Sequence, residues 1–179
     1  MMEEKNAYTI KFVGLKEGKH QFDYQIKDEF FEFFEYDDFN TTDVKANIEL
    51  NKKANMLEFT FDLTGVMNLD CDVSTEAYDQ KIQNRLELVV KFGEEYNDDH
   101  EDVLILPWSE YEIDVKQYIY EAIVLAIPQK RIHPGVEDGT LNSEILDRLE
   151  DYQPEAENDN KDEEEIDPRW EDLKKLLNE

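Results

Sequence analysis

Residue types able to do chemistry are few in this chain and poorly arranged for it. Cys71 is the single cysteine, and His20, His100 and His133 are the three histidines. A nucleophilic site needs a thiol or hydroxyl beside an imidazole base that a third group orients, and a nucleotide site needs a glycine-rich loop ahead of a helix. The sequence shows neither pattern. Cys71 shares strand parity with Phe61 and Leu69, which places it in a core as a small hydrophobe, and His20 shares parity with Phe22 and Tyr24. One cysteine excludes an intrachain disulfide and any zinc site built from several cysteines. Asn97-Asp98-Asp99-His100-Glu101-Asp102 is rich in oxygen ligands, yet it lacks the alternate spacing and the glycine at the sixth position of a calcium loop. A solvated acidic loop is expected there. With 46 Asp and Glu, carboxylate pairs arise by chance, and a carboxylate hydrolase would need two of them converging in a concave site. The reading is of a non-enzyme with no cofactor and no metal.

The cations that could meet an anion form two small groups, Lys52 and Lys53 at a turn, and Lys130, Arg131 and His133 beyond a helix. They offer a local contact to RNA or another anion, or they simply keep those turns soluble. The overall field opposes nucleic acid, since 19 Lys and Arg face 46 acids for a net charge of -27, and phosphate backbones are bound mainly through cations that displace counterions. Extensive RNA or DNA binding is disfavoured, contact with RNA at any point is left open, and a basic protein partner is favoured. The charge is uneven: residues 134–167 carry 14 acids and two bases, Arg148 and Lys161.

The elements that must position these groups follow from periodicity. With 179 residues, 40% hydrophobic and 12% aromatic, the chain can bury one core. Tyr8, Ile10 and Phe12 alternate with polar residues, as do Phe22, Tyr24 and Ile26, which predicts an opening hairpin. The Phe30-Phe31 and Phe33-Phe34 pairs among acids predict a short helix. Val44 to Leu50, Leu57 to Val73 and Tyr78 to Phe92 each place apolar residues on one parity, predicting an antiparallel meander with one wet face and a bulge near Gly65. Val103 to Leu106 predicts an edge strand. Asp114 with Gln117 three residues on predicts a capping box for a helix that Pro128 ends. Ser143 or Asn142 precedes a short helical turn through Ile145, Leu146 and Leu149. At Asp167-Pro168 a second helix start is written, with acids in its first turn and lysines in its last. Trp170, Leu173 and Leu177 then line one face, a candidate interaction surface. The start, MMEEKNAY, lacks a signal-peptide layout, and the most apolar window, Tyr118 to Ile127, falls well short of the roughly 20 residues that cross a bilayer. A cytoplasmic protein with no membrane contact is expected.

Taken in order, Leu69-Asp70-Cys71-Asp72-Val73-Ser74, the helix end Glu121-Ala-Ile-Val-Leu-Ala-Ile-Pro128, His133-Pro134, and Asp167-Pro168-Arg169-Trp170 with Leu173 and Leu176 resemble the YceD family of bacterial large ribosomal RNA accumulation proteins. The resemblance covers about residues 40–179. It implies a non-enzymatic role in making or preserving the large-subunit RNA, often alongside a small basic ribosomal protein. Many members carry a C-x-x-C pair at the position of Cys71 and further Cys or His after the helix, which invites zinc. This chain has Ser74 at the second position and no Cys after His133, and one thiol with one imidazole cannot close a tetrahedral site.

The expected architecture is α+β: an antiparallel sheet, open or barrel-like, packed on one main helix, with 1–133 as the globular domain, 134–167 as an acidic linker and 168–179 as an amphipathic helix docking on the domain or on a partner. The expected function is in large-subunit RNA accumulation or ribosome biogenesis, through a basic ribosomal protein or a pre-ribosomal particle. The alternative is an acidic interaction module unrelated to ribosomes. Oligomeric state is not legible.

Overall fold

The computed structural model describes residues 7–100, 103–141 and 144–151. In chain order the elements are β1 (Thr9–Lys11), β2 (Gly18–Ile26), α1 (Asp28–Glu32), β3 (Thr41–Lys52), β4 (Met56–Asp70), β5 (Ala77–Gly93), β6 (Asn97–His100), β7 (Val103–Pro107), β8 (Glu112–Asp114), α2 (Lys116–Ala126) and α3 (Pro134–Glu137), followed by α4 (Glu144–Asp151). The chain divides into two units, residues 1–143 and 144–179. Of the second, the described part is α4, whose helix begins at Glu144 as the pattern of Ile145, Leu146 and Leu149 predicts. Trp170, Leu173, Leu177 and the 168–179 helix lie outside the described residues.

The meander forms in the register its alternation dictates. Ile48 pairs with Phe61 and Phe61 with Leu86 across three antiparallel strands. Residues Leu57, Phe59, Phe61, Leu63, Met67 and Leu69 are all buried on one face of β4, each contributing about 1.5–3 kcal/mol relative to exposure. α2 contacts β5 and, to a smaller extent, β4, with Ile119, Ala122 and Ile123 buried. Asn84 Nδ2 of β5 donates to the Ala122 carbonyl at 2.7 Å, and the Phe61 and Tyr118 rings lie 6.0 Å apart. Among the described residues no helix is long and apolar enough to cross a membrane.

Several expectations change. The six-stranded sheet runs β2-β3-β4-β5-β7-β6 and is open, not barrel-like, because β2 and β6 remain edges. It is not wholly antiparallel either, since β7 runs parallel to β5. The acidic stretch that begins at Asn97 is not all loop: Asn97–His100 is the edge strand, and β7, expected at the edge, lies inside it. Acidic side chains on an edge discourage pairing with other chains. β1 and β2 are not a hairpin. β1 instead pairs with β8, with Ile10 opposite Ile113, and Lys52 Nζ holds the intervening loop by donating to the Phe12 and Leu15 carbonyls at 2.8 and 2.9 Å.

Gly65 marks no bulge, for the ladder passes through it without a register shift, Val44 opposite Gly65. The glycine is needed because the β3 backbone comes too close for a side chain: a Cβ there would sit 2.5 Å from Val44 Cα and nearer still to the Asp43 carbonyl. The expected capping box does not form, since the N-cap is Val115, which makes no side-chain cap bond. Asp114 Oδ1 accepts from the Lys116 amide at 2.9 Å, while Gln117 donates to Glu121 instead of reaching back. The phenylalanine-rich segment is the short helix expected, with Phe30 and Phe31 buried and Phe34 stacked on Tyr120 of α2 at 3.9 Å.

Candidate functional site

Just after β4 the chain turns back on itself around Cys71. The Cys71 amide donates to the Glu76 carbonyl and the Thr75 amide to the Cys71 carbonyl, each at 2.9 Å, with Thr75 at a positive φ of 59°. The sulfur accepts three amides: Val73 and Ser74 at 3.4 Å, and His133 at 3.2 Å from the segment beyond α2. Burial pushes the Cys71 thiol up, but the Ser74 hydroxyl and the His133, Ser74 and Val73 amides outweigh it and hold the thiol below its ordinary value. His133 Nδ1 accepts from the Gly135 amide at 2.9 Å, and the imidazole sits edge-on to Tyr78, 5.7 Å between ring centroids. The buried Tyr78 hydroxyl has no hydrogen-bond partner among the described residues.

This turn has the form of a cysteine knuckle, with amides converging on one sulfur. Its donor set does not fit a metal. Cys71 supplies one thiolate and His133 one imidazole. Ser74 Oγ accepts the Glu76 amide, and among the described residues no three Cys, His, Asp or Glu are grouped to hold an ion. Hydrogen bonds thus tie the end of β4 to the segment following α2.

Arg131 tightens the same junction. Its amide donates to Asp72 Oδ2 and its carbonyl accepts the Asp72 amide, both at 2.8 Å. Its guanidinium pairs with Asp38 at 2.5 Å and is only 19% exposed. That hydrogen bond holds the Asp38 carboxyl below the usual range and raises the guanidinium.

Of the five basic candidates, most are therefore occupied internally. Arg131 and His133 build the knuckle, Lys52 secures the β1–β2 loop, and Lys53 pairs with Glu58. Lys130 is exposed and makes no side-chain hydrogen bond or ion pair among the described residues. The Lys52–Lys53 turn and the knuckle lie at opposite ends of β4, about 45 Å apart at roughly 3.3 Å per residue. The structure does not bring them together.

A second feature was missed by motif reading. An open groove of about 550 Å³ lies between β7, the 107–111 loop, β8 and α2. Leu88, Leu104, Leu106, Ile113 and Tyr118 line its floor, while Asp98, Glu110, Glu112, Asp114 and Glu121 stand around it. Burial, then Tyr96, Glu121 and Asp98, push the Tyr118 phenol up to about 12. The available signal was the mixture of acids and aromatics from Glu94 to Glu121, which resembles any solvated acidic stretch until β7 and β8 fold it around one hollow.

Residues 59–177 match the family model described as Large ribosomal RNA subunit accumulation protein YceD. The matched region begins within β4 and takes in the knuckle, the groove and α2. No curated protein and no solved structure matches the chain.

Proposed function

The chain belongs to the YceD family, whose name assigns a role in accumulation of the large ribosomal RNA subunit, and on that premise we propose that it acts without catalysis, by binding a basic ribosomal protein or a pre-ribosomal particle. The family match carries the reading. The net charge of -27 supports a cationic protein partner over bare RNA. The internal engagement of Lys52, Lys53, Arg131 and His133 supports it further, since of the two basic groups singled out in the sequence only Lys130 is left without a side-chain partner among the described residues. An acidic factor of this kind would work by shielding the positive charge of a ribosomal protein until RNA displaces it, a cytoplasmic task.

Depletion in growing cells, with the ratio of large- to small-subunit RNA as the readout, tests the biological role. A fall in the large-subunit RNA is expected, and a normal ratio refutes it. Affinity purification at several salt concentrations tests the mechanism. Ribosomal proteins should co-purify and be lost steeply as salt rises, whereas a stable non-ribosomal partner without them would overturn the reading.

A further inference from the structure

We propose that the groove between β7, β8 and α2 is the docking site for a cationic amphipathic segment of a partner protein, which lays apolar side chains on the floor and Lys or Arg side chains at the carboxylate rim. This deepens the reading above by giving the protein partner a place, though its test does not pass through ribosomes.

The chemistry of the rim selects the partner's charge. Among the described residues Asp98 accepts only from the Tyr96 hydroxyl, at 3.1 Å, Glu121 from Gln117, at 2.7 Å, and Asp114 from the Lys116 amide, at 2.9 Å. Glu110 and Glu112 make no side-chain hydrogen bond or ion pair among the described residues, and no Lys or Arg is among the residues that line the hollow. Lys116, the cation nearest in sequence, is directed elsewhere, with Nζ 3.8 Å from the Phe33 ring centroid. Five carboxylates around one hollow repel each other, and an incoming cation relieves that repulsion. The phenol of Tyr118, pushed up by burial first and then by Tyr96, Glu121 and Asp98, adds a hydroxyl able to donate.

The apolar surroundings select a protein over a small cation. Beyond the groove the surface carries Trp108, 69% exposed and stacked on Phe92, with Tyr111 and Val13 also exposed. Val13 is held beside Tyr111 by a hydrogen bond that its amide donates to the Tyr111 carbonyl, at 3.4 Å. Exposed aromatic side chains near a polar rim are the composition of a protein-binding patch.

The probe is a synthetic 18-residue helical peptide of Leu and Lys, titrated into the full chain by calorimetry, with backbone amide shifts mapped by NMR. Shifts should concentrate on residues 104–121 and spare β2 and β3. Combined Glu110→Gln, Glu112→Gln and Glu121→Gln should weaken binding roughly tenfold, about 1.4 kcal/mol. Combined Glu32→Gln, Asp37→Asn and Glu76→Gln, which change the net charge equally, should weaken it less than about twofold. Replacing the peptide's leucines with serine should also abolish the localised shifts. Equal loss in both triple variants, or shifts spread over the acidic surface, overturns the proposal, as does peptide-free, concentration-dependent shifting of 104–121, which would assign the groove to a second copy of this chain. The wild-type shift map keeps the test valid if a variant fails to fold. Localised binding beside normal large-subunit RNA on depletion would sink the ribosomal role and leave the groove standing.

Discussion

Replacing Cys71 with alanine removes one buried atom and three acceptor contacts together. The Val73, Ser74 and His133 amides all donate to its sulfur, and the alanine methyl offers them no acceptor. Sulfur is a weak acceptor, so each bond is assigned about 0.5 kcal/mol, the low end for a protein hydrogen bond. Losing the buried thiol adds about 1 kcal/mol of transfer and cavity cost. Cys71→Ala should therefore destabilise by about 2–3 kcal/mol, lowering the urea midpoint by roughly 1 M for a slope of about 2 kcal/mol/M. Hydrogen exchange at the His133 amide should accelerate in the variant, and Cys71→Ser should recover part of the loss. The effect carries a pH signature. Because the folded thiol sits below its ordinary value of 9.0, it favours the folded state above the unfolded value and loses that contribution as pH falls through the folded one. The stability gap between wild type and Cys71→Ala should thus widen as pH rises through the folded value towards 9.0, then level off. A loss under about 0.5 kcal/mol, or a gap that narrows with rising pH, refutes the account of the sulfur as the junction's acceptor.

Three more outcomes follow from the contacts around it. Gly65→Ala drives a methyl into the β3 backbone at Asp43 and Val44, at the upper end of overpacking, about 3 kcal/mol; urea unfolding measures it, and a near-neutral result would show that the strands separate easily. Asp38 is held below its ordinary value by the Arg131 hydrogen bond, so its contribution is present above that value and lost as pH falls through the folded one. Arg131→Met should accordingly flatten the acid limb of the stability curve below about pH 4, and parallel curves in wild type and variant would refute the pairing. Since hydrogen bonds close the knuckle, excess chelator should leave the thermal midpoint and the His133 amide exchange unchanged, and a fall in either would reveal an ion that the donor set does not predict.

The long strands were legible because burial on one face forces a period of two, and Leu57 to Cys71 keep that parity without a break. Partners were not. β1 is three residues long, so its alternation fits β2 as well as β8, and the choice is made by Ile113 across from Ile10 and by the Val115 amide reaching the Tyr8 carbonyl at 3.0 Å. The acidic Asn97–His100 strand hid for the opposite reason, since an edge strand needs no apolar face. Gly65 announced an exception to ordinary strand packing, but a bulge and a close backbone approach leave the same mark in sequence. At the knuckle, Cys71, Ser74 and His133 were recognisable as a departure from a zinc pattern, whereas the replacement crosslink is made by backbone amides, which no side-chain motif encodes. Arg131 was legible as a cation and not as a clamp, because Asp38 and Asp72 are remote in sequence.

The distribution of the cations bears on where a partner lands more than their number does. At physiological salt a charge is felt over about 8 Å, so the net -27 governs how fast a basic protein arrives, while the site of arrest depends on carboxylates left locally uncompensated. Lys19 answers Glu49, Lys53 answers Glu58, Arg85 answers Asp62 and Glu87, and Arg131 answers Asp38, which spreads compensation over the sheet and the knuckle. The groove rim has none among the described residues. Adding cations at the sheet should consequently slow association without moving the bound segment, whereas a single Glu112→Lys at the rim should speed its departure, a difference that stopped-flow association and dissociation rates separate. Equal effects on the association rate alone from both positions would mean that the groove holds nothing and that the field acts as a whole.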